Sequence, residues 1–128
     1  MRDLRNNIDA VISLSPAARN TTANGTGVDL QGYEGAVALA QFGAWTDGAH
    51  TPSLQESDDN STFTNVAAAD MLGSFTAVSS GAGANTVQRV GYIGAKRYVR
   101  GVMTVSVATT GALSVIALAR GIAARRPV

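Results

Sequence analysis

The stretch from Arg89 to Ala119 constrains this chain most, because it carries the period of two that a strand with one covered face produces. Val99, Met103, Val105 and Val107 fall on one side and Arg100, Thr104 and Ser106 on the other, and only Val102 breaks the alternation. Ala108-Thr109-Thr110-Gly111 reads as a turn in which Gly111 supplies a left-handed backbone, after which the chain returns through Leu113, Val115 and Ala117. Upstream, Thr86 to Tyr92 reads as another strand, joined to the next through Ile93 to Lys96. The spacing predicts three consecutive antiparallel strands, a meander, which must pack against the rest of the chain.

The remaining sequence offers more short strands rather than helices. Glycine and Ser/Thr clusters recur every ~8–12 residues, the spacing of strands in a sandwich or barrel. Ala36 to Trp45 is apolar except for Gln41 and reads as a core strand covered on both faces. Ser53 to Ser57 and Thr62 to Val66 flank a polar turn at Asp58 to Ser61, which predicts a hairpin. Val28 to Leu30 and Ser74 to Val78 read as short strands, and Ala67 to Gly73 as one helical turn with Asn65 as its cap. Thr46 to Pro52 reads as a loop, Ala17 to Gly27 as a loop or a weakly defined strand edge, and Ser79 to Asn85 as a flexible connection. The expected fold class is all-β: an antiparallel β-sandwich of seven to nine strands, with a jelly roll among the arrangements open to it. Residues 17–128 would form that single domain.

Residues 1–16 support two readings. Leu4, Ile8, Val11 and Ile12 share a helical face, whereas Ile8, Ala10, Ile12 and Leu14 share a strand face. The segment is expected to be an extended N-terminal arm that contacts other subunits, or an edge strand of its own sandwich formed by Asp9 to Leu14. No secretory signal is read at this end, and Ala112 to Ala119 is too short for a transmembrane helix, so no membrane is expected as a partner.

Charge is nearly balanced but unevenly laid out. Seven acidic residues and no lysine or arginine lie between Asn20 and Gln88, and seven basic residues with no acid follow from Arg89. Either the two sets neutralise each other within one molecule, or they present two charged faces to neighbouring copies or to an acidic lattice.

Signs of catalysis are weak. Glu56, Asp58 and Asp59 are the one dense carboxylate cluster, but two of them share a surface turn and would both stay ionised. Asp58, Asn60 and Thr62 alternate like calcium ligands, yet the later glycine and distal glutamate of a calcium loop are missing. His50, the one histidine, reads as a solvated loop residue, and there is no cysteine. No phosphate loop, nucleophile elbow or dinucleotide fingerprint is present. The sequence therefore predicts no enzyme, no cofactor, no metal and no small-molecule substrate, and nucleic acid is not expected as a partner. Asn20, Asn24 and Asn60 open Asn-x-Thr triplets that read as loop composition.

Val28-Asp29-Leu30-Gln31-Gly32-Tyr33, Leu54-Gln55-Glu56-Ser57-Asp58-Asp59, Asn85 to Gly94 and Lys96-Arg97-Tyr98-Val99-Arg100 together resemble small virion proteins of tailed bacteriophages. The resemblance spans roughly Val28 to Val107 and implies a structural, head-associated role with no catalytic residues to carry over. It implies a capsid decoration (cement) protein on the surface of the phage head, bound to the major capsid protein and to neighbouring copies of itself. Leu4, Ile8, Ile12, Arg97, Arg100, Arg125 and Arg126 are the expected contact residues. The alternatives are a head-fibre base, neck or tail protein, or a carbohydrate-binding module using Tyr33, Trp45, Tyr92 and Tyr98.

Overall fold

The computed structural model describes residues 3–123. Its strands are β1 (Ile8–Arg19), β2 (Ala23–Asn24), β3 (Val28–Asp29), β4 (Tyr33–Trp45), β5 (Ala49–Ser57), β6 (Thr64–Asn65), β7 (Met71–Leu72), β8 (Val87–Tyr92), β9 (Tyr98–Ser106) and β10 (Ala112–Ala123). They form two antiparallel sheets, one ordered β1-β10-β4-β8-β7 and the other β2-β9-β5-β6, with β3 also on β9. The first long strand therefore lies beside the last, and most connections cross from one sheet to the other. With β2 and β3 taken as one interrupted strand, this is jelly-roll winding.

The expected meander does not form. β8 pairs with β4, β9 with β5, and β10 with both β1 and β4. A period of two reports that one face is covered; it does not report which strand lies alongside. The links at 93–97 and 107–111 are hairpin-sized, but each passes between sheets. Tyr92 still pairs with Ala36 in the first sheet, and Tyr98 already pairs with Ser57 in the second.

Residues 8–14 do not project as an arm. They belong to β1, which runs antiparallel to β10 from Ile8↔Gly121 to Arg19↔Ala112, so a boundary at residue 16 falls inside a strand. Two register shifts around Ser13 and Pro16 bend β1. At the first bend Ser13 bridges the sheets: its Oγ donates to the Thr26 carbonyl at 2.7 Å and accepts from the Gly101 amide at 2.9 Å. Thr26 N–H returns a bond to the Ser13 carbonyl at 2.7 Å. The sandwich is thereby closed along one side.

The core between the sheets has two centres. Val28, Ala38, Leu54, Val99 and Leu118 pack with Tyr92 toward one end, and Leu14, Ala40, Phe42, Met103 and Ile116 pack toward the other. Gly101 in β9 lets Ile116 of β10 approach the opposite backbone, since a Cβ there would lie 2.5 Å from the Ile116 methyl. Arg19 is buried at the end of β1, where it donates to the Ser114 carbonyl at 2.6 Å, and burial lowers its pKa.

Three further expectations need correction. His50 is not a solvated loop residue but a fully buried member of β5; its Nε2 lies 2.9 Å from the Asp47 carbonyl. The neighbouring Pro52 suggested a loop, yet β5 tolerates it. Its missing N–H falls on the side away from β9, where β6 pairs only with Gln55 and Glu56. Residues 74–78 form no strand beyond the single bridge Val78↔His50, although Phe75 packs on the core. The helical turn is reduced to a 3-10 turn at Ala68–Asp70, whose cap position is Ala67, while Asn65 pairs with Gln55 instead.

Candidate interaction surface

The two sheets differ sharply on their outer faces. On the second sheet, Arg97 grips Asp29 with two bonds of 3.0 and 2.8 Å. Its guanidinium also lies 5.1 Å from the Tyr98 ring. Arg100 stacks 4.1 Å from the Phe63 ring and donates to Gln55 Oε1 at 2.8 and 2.6 Å. Gln55 in turn donates to Asn65 at 3.1 Å. This face is polar, and its long side chains are already held in place.

The outer face of the first sheet is apolar. Alternation puts Ala38, Ala40 and Phe42 of β4 inside, so Val37 and Leu39 point out, where they are only half-buried. The expectation that both faces of this strand are covered therefore fails for the chain alone. Their neighbours in register are Ala117 and Ala119 on β10, with Ala10 and Ile12 beyond them on β1. Ile12, Leu72, Val87 and Leu113 are 47–62% exposed on this same face. Arg89, opposite Leu39, is the one charged side chain that strand alternation directs outward from it among the described residues.

Sheet edges offer less. β6 and β7 are two residues long, and β1 is bent by its bulges and by Pro16, devices that blunt an edge against pairing with another chain. The sheet faces therefore offer broader candidate contact surfaces than the sheet edges.

Of the residues expected to make contacts, Ile8 and Ile12 lie on the apolar face and Leu4 is exposed just before β1. Arg97 and Arg100 lie on the polar face of the other sheet, so the structure does not bring all five together. Arg125 and Arg126 lie outside the described residues. Val37, Leu39, Leu72, Val87 and Leu113 were missed, although for Val37, Leu39 and Leu113 the outward half of the period-two pattern in β4 and β10 carried the signal.

The carboxylate cluster points three ways. Glu56 turns inward to accept from the Tyr92 hydroxyl at 3.1 Å, and burial pushes that phenol up to about 12. Asp58 pairs with Lys96 at 2.8 Å and raises the lysine pKa. Asp59 accepts the amides of Thr62 and Ser61 and the Ser57 hydroxyl, which holds it at about 2. No group of three or more potential metal-ligating side chains occurs among the described residues. Asp29–Arg97, Asp58–Lys96 and Asp9–Arg120 each join an acid to a basic residue from the second part of the chain, so some of the uneven charge neutralises within the molecule.

The aromatics do not form one platform. Tyr33 and Trp45 stand at opposite ends of β4, roughly 40 Å apart at a strand's rise per residue. Trp45 donates to the Gly48 carbonyl at 3.0 Å, Tyr92 is buried, and Tyr98 underlies Arg97. A cleft of about 500 Å³ opens at one end of the sandwich between the 30–36 and 92–97 segments.

No family model matches the sequence, and no curated protein matches it. A solved structure does. The chain is similar to the crystal structure of PBSX exported protein XepA, with 21% identity and a TM-score of 0.61. The match covers 94% of this chain and 39% of that one, so the chain spans about two fifths of XepA's length. At this identity the likeness shows the fold.

Acid stability follows from three carboxylates. Arg97 holds Asp29 at about 2, the turn amides hold Asp59 at about 2, and the Gly111 amide, with those of Thr110 and Thr109, lowers Asp47. In the unfolded chain each titrates near ~3.9. The unfolded state therefore takes up protons first as pH falls, and the stabilisation present above ~4 is lost between ~4 and ~2. Thermal midpoints should be level from about pH 6 to 5 and fall steeply below ~4, with a shallower fall in Asp59→Asn. Midpoints that stay flat down to about pH 2.5 would contradict this assignment.

Proposed function

We propose that this chain is a bacteriophage virion structural protein, and specifically a capsid decoration protein that binds the major capsid lattice on the head surface. It acts by binding rather than by catalysis. The observation that carries the reading is the contrast between its two outer faces. One is polar and ordered by its own hydrogen bonds, and the other is apolar and uncovered in the single chain. A protein with two such faces is suited to joining its own kind on one side and a lattice on the other.

The fold supports the same reading, because the similar structure, PBSX exported protein XepA, is a phage-related protein. Arg100, held by the neutral Gln55, gives the polar face a basic, preorganised contact for the capsid protein, since a side chain already held in place loses little entropy on binding, whereas the charge of Arg97 is already met by Asp29. Dispersal of the four aromatics favours this reading over a sugar-binding module.

Imaging of particles to which purified protein has been added tests it. Regular density repeated over the capsid lattice is expected. Density confined to the neck, tail or fibre base would replace decoration with one of those roles, and no association with any particle would overturn the virion reading.

A further inference from the structure

From the structure we infer that the apolar outer face of the β1-β10-β4-β8 sheet is covered by the same face of a second copy of this chain, in an isologous dimer. The inference rests on the preceding reading only in treating the protein as a part of an assembly. Four strands at ~4.8 Å spacing and about seven residues at ~3.3 Å rise give a footprint of roughly 450 Å². With side-chain relief, two copies would bury roughly 1,000 Å², about the threshold for a specific interface. The patch is also of the size at which exposed apolar surface on a monomer marks an interaction site.

The two-fold mode of self-pairing is favoured over a head-to-tail one by what the rest of the molecule lacks. The outer face of the other sheet is polar, so among the described residues no second apolar face exists to receive this one head-to-tail. A face that must meet apolar surface and has only itself to meet produces a closed two-fold pair.

The relief of the face fits such a pair. A depression of about 330 Å³ lies near the end of the sheet where Ala17, Gln41, Gly43, Leu113 and Val115 meet. Val87, 62% exposed, stands on β8 in register with Gln41, at that same end but two strands across from β10. A two-fold axis parallel to the strands and passing between β10 and β4 exchanges the two sides of the sheet and keeps the level along the strands. It exchanges β8 with β1 and so carries Val87 of one copy over the β1 rim of the other's depression, beside Ala17. The same operation moves the two Arg89 side chains to opposite margins, so the one outward charge does not meet itself.

The experiment is sedimentation of the purified full chain across the micromolar range, beside Ala117→Glu at the centre of the face and Val87→Lys at its knob. Thr104→Glu, on the polar face, is the control, and circular dichroism confirms folding of each variant. The wild type and Thr104→Glu should sediment at twice the 13.1 kDa chain mass, and the two face variants at the chain mass. A monomeric wild type overturns the proposal, as does a folded Ala117→Glu variant that stays dimeric. If the wild type is monomeric and Ala117→Glu loses particle binding, the capsid protein covers the face and self-pairing is excluded. A dimer that binds no particle leaves the proposal standing and removes the capsid reading, so the two failures can be told apart.

Discussion

Deletion of residues 1–14 should leave a chain that no longer folds cooperatively. The deletion removes Ile8 to Leu14 of β1 and exposes the edge of β10 from Ile116 to Gly121. Leu14 is buried in one core centre and Val11 packs against the other. Truncating a buried leucine alone costs ~2–5 kcal/mol, against ~5–15 kcal/mol for the whole stability of a typical domain. Also lost are Ser13, which ties the Thr26 carbonyl to the Gly101 amide, and Asp9, which pairs with Arg120. Arg120 would keep its stacking on Tyr33 and its bond to the Asp29 carbonyl but lose its counter-charge. Insoluble protein, or a soluble chain with no cooperative thermal transition, is the expected outcome. A deletion variant that melts cooperatively near the full-length midpoint would revive the external arm.

How much of this was legible in the sequence depended on what each pattern physically reports. The covered face of β9 showed as Val99 and Met103, both fully buried, whereas Val107, read on the same face, lies past the strand's end and is 94% exposed, and Val102 is buried on the other face. Gly111 was readable as a left-handed turn residue and has φ +86°. The Asp58 to Ser61 hairpin was readable from turn chemistry, and Asn60 takes φ +60° there. Strand partnership was not readable, because a jelly roll pairs β1 with β10 across almost the whole chain, and no local pattern encodes a contact of that separation. His50 was hidden by the loop chemistry around it, Gly48 before and Pro52 after. The candidate contact surface was half legible: Ile8 and Ile12 were visible as unplaced apolar residues. The outward residues of β4 looked like core because an apolar run reads the same whether its second face meets its own domain or another molecule.

The second large effect is expected where the two sheets press closely together, at Gly101 and Ile116. Gly101 sits in β9, in the middle of the second sheet, with Leu54 as its partner on β5. Its amide donates to Ser13 Oγ at 2.9 Å and its carbonyl accepts from the Gly25 amide at 2.7 Å, so the backbone is held from the β1 side as well. An added Cβ would lie 2.5 Å from Ile116 Cγ2 and 2.9 Å from both Cβ and Cδ1. Ile116 is fully buried and cannot swing aside, so Gly101→Ala must push the sheets apart or force an off-rotamer side chain. Overpacking of this kind costs ~1–3 kcal/mol. Ile116→Ala alone should cost ~2–5 kcal/mol through the cavity it leaves. In the double variant the new methyl at position 101 occupies part of that cavity, and the atoms it would have struck are largely gone. Denaturant melts of the four proteins should give a double-variant loss at least ~1 kcal/mol smaller than the sum of the single losses. Losses that add to within ~0.5 kcal/mol would mean that Gly101 and Ile116 do not press on each other, and that the sheets pack in another register.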